Sequence, residues 1–192
     1  MLISLGRVQD AHDLSREIVA ESGEACEPRS RCMYLIVLVM SQLVLGELTA
    51  AQATLDRIAQ IPAASADERI GSFLVNRRAL LALLQAGPAA AEAQLLAVQA
   101  APTAPETALE RALVRALIAL VQGDRGRVEQ LTTAVSQQAA ANYVFYQLVA
   151  HQIAAADPAV PPAELPRLLW CQADRLDAAV FAPAAAIATY PL

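Results

Sequence analysis

Lysine is absent from this chain of 192 residues, and arginine supplies all 14 of its basic side chains. Without lysine the chain cannot contain the phosphate-binding sequence GxxxxGK[ST], because that loop requires the lysine ammonium group. The net charge is −5, and no dense run of arginine is present. Proteins that bind nucleic acid usually present a basic surface to the phosphates. We therefore expect no direct contact with nucleic acid.

Cysteine and histidine are also scarce, which limits the chemistry that the chain can perform. Cys26, Cys32 and Cys171 form neither a CxxC pair nor a zinc-type Cys/His spacing. Of the two histidines, we expect His12 to be solvated and His151 to pack against its neighbours. No local motif indicates a Ser–His–acid triad. We therefore expect a non-enzymatic protein without metal or cofactor.

A secretory signal is missing too, since no charged segment precedes an apolar core at the N-terminus. This favours a cytoplasmic protein with reduced thiols, and a disulfide between Cys26 and Cys32 is the alternative that the spacing leaves open.

What the chain has in abundance is apolar residues, at 56% of its length. The most apolar stretch, MYLIVLVMSQLVLG at residues 33–46, is shorter than the roughly 20 residues that a membrane span needs. Pro28 suits the first turn of a helix, and Gly46 suits the left-handed residue just past a helix end. The sequence therefore predicts a buried helix from Pro28 to Leu45 and no membrane contact.

Glycines mark a repeat along the chain. Gly6, Gly46, Gly87 and Gly126 are separated by 40, 41 and 39 residues, and each precedes an amphipathic segment, the last together with Gly123. A fixed period in this range is typical of stacked helical hairpins. Three capping boxes support the helix starts: SADE at 65–68, TAPE at 103–106 and TAAQ at 49–52.

Each predicted repeat is a long apolar helix, a turn and a more polar second helix. The long helices are predicted at 28–45, 66–86, 104–122 and 140–156. The second helices are predicted at 7–22, 49–61, 89–100 and 126–138. We divide the chain into repeats at 1–156, the first truncated, and a region at 157–192 with a proline-rich connection, a helix at 163–180 and a tail. Neither end carries the polar cap that a helical array needs, so we expect a fragment that associates through its uncapped ends.

The hairpins resemble the tetratricopeptide-like family. The matching residues are Leu5-Gly6, Leu45-Gly46 and Ala86-Gly87, with small residues a few positions on at Ala11, Ala50 and Ala91. The period near 40 is similar to the longer helical repeats of large maltose-activator-type bacterial regulators. Those proteins carry an ATP-binding module before the repeats and a helix-turn-helix after them, and neither occurs in this chain. The resemblance implies an all-α, right-handed α-α superhelix (a solenoid) that serves bacterial signalling or transcription regulation.

In the resembled family, the first helix of each repeat lines a concave groove that binds a protein or peptide. The register of this chain places six residues there: Met33, Ile36, Arg77, Glu110, Tyr143 and Tyr146. Two alternatives stay open. The same residues could instead be inter-helix packing and ordinary surface, and the array could instead sense a small-molecule effector.

Overall fold

The computed structural model describes residues 2–22, 26–62, 66–97, 104–139 and 144–171. Within these residues the regular structure is helical and contains no strand, which confirms the all-α class. The α-helices are α1 Val8–Ser22, α2 Pro28–Leu45, α3 Leu48–Ala59, α4 Glu68–Ala86, α5 Pro88–Leu96, α6 Pro105–Val121, α7 Arg125–Gln138, α8 Val144–Ala155 and α9 Leu165–Trp170. Short 3-10 turns occupy Ile3–Leu5 and Pro162–Glu164.

The helices pack as consecutive antiparallel pairs in a repeat-like order. Helix α2 contacts α1 and α3, α4 contacts α5, and α6 contacts α7. In addition, α2 lies beside α4, α4 beside α6, and α6 beside α8. We call these four helices the first-helix row.

Helix α2 is long and apolar enough to cross a membrane by length and composition alone, with a mean hydropathy of 1.2 over its 18 residues. Half of that window is buried inside the protein, and Leu35 and Val39 are completely inaccessible. Since α2 contacts α1, α3, α4 and α9, its apolar side chains are covered by protein on several sides. It is built as a core helix.

The helix starts are capped differently from the predicted boxes. Helix α2 begins at Pro28 as predicted, and the Glu27 carboxylate accepts from the backbone N–H groups of Arg29 and Ser30. These hydrogen bonds hold the pKa of Glu27 below its ordinary value. Helix α4 is capped by Asp67, not by the predicted Ser65, and Asp67 accepts from Arg69 N at 2.9 Å.

Of the other two boxes, the one at 49–52 is not used, and the one at 103–106 begins outside the described residues. Helix α3 begins at Leu48, so the predicted cap Thr49 lies inside it. Helix α6 follows Ala104, which has no capping side chain, and Thr103 lies outside the described residues. Proline in the first turn of α6 starts this helix without a side-chain cap, because its missing N–H needs no partner.

The turn glycines are confirmed at three of the four predicted positions. Gly6, Gly46 and Gly87 have φ of 73°, 77° and 89°, a region that other residues rarely adopt. The fourth position is wrong: Gly126 lies inside α7, and the left-handed residue of that turn is Gly123. The turn spacings are therefore 40, 41 and 36 residues, and the last repeat is shorter than predicted.

The C-terminal region returns to the first-helix row. Residues 157–161 lead from α8 to the 3-10 turn, which contacts α4, and α9 then contacts α2, α6 and α8. We call residues 162–171 the docked segment. A segment of this length can touch all four helices only if they are arranged around it. The predicted helix at 163–180 is thus described to Trp170, and its remainder lies outside the described residues.

Candidate functional site

Of the six residues predicted for the groove, the five that the structure describes lie on α2, α4, α6 and α8, and the docked segment contacts Arg77 among them. Ile36, Arg77 and Glu110 are only 3%, 2% and 4% exposed. Met33 and Tyr146 are half-buried, and Tyr143 lies outside the described residues. The expectation of an open groove at Ile36, Arg77 and Glu110 is therefore corrected. The sequence pattern could not reveal that Arg77 is covered, because Trp170, which contacts it, comes from the C-terminal region of the chain.

Arg77 is at the centre of the covered surface. Its Nη1 lies 2.5 Å from Glu110 Oε2, which joins α4 to α6. Its guanidinium carbon lies 4.8 Å from the centre of the Trp170 ring and 5.4 Å from that of Phe73. An arginine between aromatic faces gains cation–π attraction, and this attraction is stronger where water is excluded. Trp170 is therefore held by a charged as well as an apolar contact.

A buried polar network surrounds this pair. Asn76 Nδ2 donates to Glu110 Oε2 at 3.1 Å and to the backbone oxygen of Thr107 at 3.2 Å. Arg111 Nε donates to Asn76 Oδ1 at 3.4 Å. Burial lowers the pKa of Arg111, and the positive charge of Arg115 adds to this effect. The network fixes the register of α4 against α6, since every one of these bonds joins the two helices.

Tyr146, on α8, lies near the Arg77–Glu110 pair. Burial is the main cause that raises the pKa of its hydroxyl, and the nearby negative charge of Glu110 adds to it. The ring meets Phe145 edge-to-face, with 5.6 Å between centroids. Tyr146 is therefore a protonated, largely packed side chain, which agrees with the packing alternative for this residue.

Sequence reasoning missed four members of the site: Phe73, Asn76, Arg111 and Trp170. One signal was available for two of them. Asn76-Arg77 and Glu110-Arg111 are polar pairs inside otherwise apolar helices, and a polar residue on a buried helix needs a partner. No comparable signal was available for Trp170, whose position depends on how the C-terminal region folds back.

Part of the first-helix row stays open. A cleft of about 310 Å³ lies between the beginnings of α2 and α4, and Met33 is one of its walls. Its lining consists of Arg29, Ser30, Met33, Tyr34, Asp67, Arg69 and Ile70. Arg29 and Asp67 pair across it at 3.0 Å, and Arg69 pairs with Glu106 at 2.7 Å. The cleft thus combines apolar walls with two guanidinium groups.

A larger cleft of about 620 Å³ is lined by residues of α1, α2 and α3. Four charged side chains line it, Asp13, Arg16, Glu17 and Arg57, and its apolar walls are Val19, Ala20 and Leu38. Its size exceeds that of the cleft between α2 and α4, but it is the shallower of the two. Ligand sites are concave and mostly apolar, so we give the smaller cleft more weight.

His12 lies on α1, outside the first-helix row, whereas Cys32 and His151 lie on row helices and Cys171 ends the docked segment. His12 is buried, with Nδ1 at 3.3 Å from Asp13 Oδ1 and Nε2 at 3.4 Å from Glu47 Oε2, so the expectation of a solvated His12 is wrong. Packing of α1 onto the α2–α3 turn covers the ring. His151 is exposed, so the expectation that it packs is also wrong. The three cysteines are free thiols, and the alternative Cys26–Cys32 disulfide is not formed.

Among the described residues, no group of three or more His, Cys, Asp or Glu side chains is placed to hold a metal ion. Comparison with protein-family models, curated proteins and solved structures found no match. The tetratricopeptide-like resemblance therefore stays a prediction.

Proposed function

We propose that the chain is a non-enzymatic scaffold that binds a protein or peptide on its first-helix row. In this proposal the hairpins form a right-handed α-α superhelix, cytoplasmic and part of a larger bacterial signalling or transcriptional regulator. The observation that carries the proposal is the docked segment, because a surface that holds ten residues of its own chain has the shape and chemistry for a peptide. Arginine and tryptophan, which meet at its centre, are also the residues most enriched in binding hot spots.

The second candidate is a small-molecule effector site in the cleft between α2 and α4. Its volume of about 310 Å³ reaches the lower end of the range for ligand pockets. Arg29 and Arg69 could pair with an anionic group, while Met33 and Ile70 supply apolar contact. An anionic metabolite would have to compete with Asp67 and Glu106 for these guanidinium groups.

The test of the scaffold is a matched pair of substitutions in the two clefts. Tyr34 is 38% exposed and lines the cleft on the first-helix row, whereas Arg57 is exposed on α3, a second helix, and lines the larger cleft. Once a partner has been captured, we expect Tyr34→Ala to weaken its binding by about 1–3 kcal/mol, measured by isothermal titration. Arg57→Ala should leave the affinity unchanged.

Equal losses of partner affinity in both variants, or a loss confined to Arg57→Ala, would contradict the assignment of the binding surface to the first-helix row. Titration of the intact chain with a panel of anionic metabolites separates the two candidates. A metabolite whose binding depends on Arg69 but that needs no protein partner would favour the effector site.

A further inference from the structure

The docked segment presents a defined pattern to the first-helix row. Its buried residues are Leu165, Pro166, Leu169 and Trp170, whereas Arg167 points to solvent. Positions i, i+1, i+4 and i+5 lie on one face of a helix. An amphipathic helix in an apolar groove is one of the standard ways in which proteins recognise peptides. The contact within this chain has that form.

The connection to the docked segment is exposed and makes only local hydrogen bonds among the described residues. Asp157 accepts from Ala159 N and Val160 N, and Pro161 accepts from Glu164 N. A helix of six residues is too short to be stable alone in water, so α9 exists because it is docked. Release of the segment would break the hydrogen bond of 3.5 Å from Gln152 Nε2 on α8 to the backbone oxygen of Cys171, whereas the backbone hydrogen bonds within α2, α4, α6 and α8 do not involve the segment.

The surface beneath the segment is held together independently of it. Arg77 is paired with Glu110, and Glu110 is bonded to Asn76, so the guanidinium stays in place when Trp170 is removed. Arg77 Nε is buried and lacks a hydrogen-bond acceptor within the described part of the chain. A buried donor without an acceptor carries a free-energy penalty. An acceptor that reached this N–H would relieve that penalty.

We propose that the docked segment is an intramolecular ligand that closes the peptide site, and that the partner is an amphipathic peptide that displaces it. The partner carries a leucine-like residue, then an apolar–aromatic pair four and five positions later, in the manner of Leu165, Leu169 and Trp170. It also offers a backbone carbonyl or carboxylate to Arg77 Nε. This proposal rests on the scaffold function and adds the identity and regulation of its site.

The experiment uses the intact chain and a synthetic peptide of residues 162–170 carrying Trp170→Phe. Trp170 is the only tryptophan in the sequence, so tryptophan emission from the mixture reports the docked segment alone. We expect the peptide to produce a saturable red shift of this emission and stronger quenching by acrylamide. A peptide of the same composition in scrambled order should produce neither change.

The docked segment is tethered and competes with the added peptide at an effective concentration of about millimolar. A variant chain whose segment docks less tightly therefore makes peptide binding easier to measure. Leu169→Ala removes one buried contact of α9 and leaves the first-helix row unaltered. We expect the fluorescently labelled peptide to bind this chain about tenfold or more tightly than the parent, by anisotropy. Arg167→Ala, at the exposed position of α9, is the matched control and should retain the parent's affinity.

Four results overturn the proposal. The first is that the peptide fails to bind the Leu169→Ala chain, and the second is that it binds this chain and the parent equally. The third is that Trp170 emission of the parent stays unchanged at every soluble peptide concentration. The fourth is that Leu169→Ala abolishes the helical circular-dichroism spectrum. The last result would make the segment an inseparable part of the core. If a captured partner binds without moving Trp170 emission, the scaffold function stands and this inference fails.

Discussion

At the residue scale, Arg77 shows how one side chain serves both the fold and the candidate site. It was predicted as an open contact residue, but its side chain is 3% exposed and lies against that of Glu110, which is 5% exposed. Moving two charges out of water is costly, and only their mutual attraction and further hydrogen bonds offset that cost. Asn76 and the two aromatic rings provide part of this compensation. Substitution of Arg77 therefore tests the stability of the fold, and cannot by itself test binding.

We expect Arg77→Ala to lower the free energy of unfolding by about 3–5 kcal/mol, because it leaves the Glu110 carboxylate buried and unpaired. Denaturant-induced unfolding followed by circular dichroism measures the change. The neighbouring Arg78 is the control: its pair with Asp56 spans 3.7 Å and is 38% exposed on the arginine side. Arg78→Ala should cost no more than about 1 kcal/mol. Equal effects of the two substitutions would contradict the burial of the Arg77–Glu110 pair.

At the element scale, the helices end where backbone geometry requires glycine, and the repeat period follows from those ends. Gly46 is the C-cap of α2, with its N–H bonded to the backbone oxygens of Gln42 and Leu43. Gly126, which the sequence period had selected, lies in the first turn of α7 and has no positive φ. The two glycines look alike in the sequence because both stand before amphipathic segments. They differ in conformation because Gly123 already closes the preceding turn.

This difference predicts opposite effects of the same substitution. No atom lies within 4 Å of a Cβ added at Gly46, so Gly46→Ala is opposed by its φ of 77° alone, and we expect a loss of about 1 kcal/mol. At Gly126 the added Cβ meets Asp124 Oδ1 at an ordinary 3.7 Å, and alanine favours the helix. We expect Gly126→Ala to stabilise the protein by up to about 1 kcal/mol. The melting temperatures of both variants, compared with that of the parent, test these two expectations. A destabilised Gly126→Ala chain would contradict the placement of Gly126 inside α7.

At the scale of the whole molecule, the apolar content is used to pack helices against each other and to dock the C-terminal segment. Helix α2, the most apolar, has neighbours on several sides. Leu5 and Leu14 are 44% and 47% exposed near the N-terminal end of the helical array. Exposed apolar side chains at the end of a helical array favour association with another copy. Association through the ends stays a prediction.

We expect the protein to remain in solution without detergent, to give a helical circular-dichroism spectrum and to elute from gel filtration with an apparent mass that rises with concentration. Leu14→Gln should reduce that rise, since it replaces an exposed apolar side chain on α1. Leu96→Gln is the matched control, because Leu96 is 70% exposed but lies on α5, away from that end. Dependence on detergent for extraction would contradict the core role of α2. An unchanged rise in Leu14→Gln would contradict association through the N-terminal end.

The positions of most helices could be read from the sequence because the signals are local. Pro28 and Gly46 bound α2, and the apolar run between them identifies it as a core helix. Helices α4 and α6 lie within the predicted 66–86 and 104–122. The capping residues were harder to predict, because several residues near the start of each helix can accept a hydrogen bond from a backbone N–H group. Asp67 caps α4 instead of Ser65 for this reason.

What only the tertiary structure decided is which surfaces are covered. The register placed Arg77, Glu110 and Tyr146 together on the first-helix row, and they do meet there. Arg77 is covered by Trp170, which lies 93 residues away in the chain and reaches it through a connection without a periodic pattern. His12 is buried for a similar reason, by the packing of α1 on the α2–α3 turn. Helical periodicity indicates which face of a helix is apolar and therefore covered, but it does not specify which distant segment covers a polar position such as Arg77.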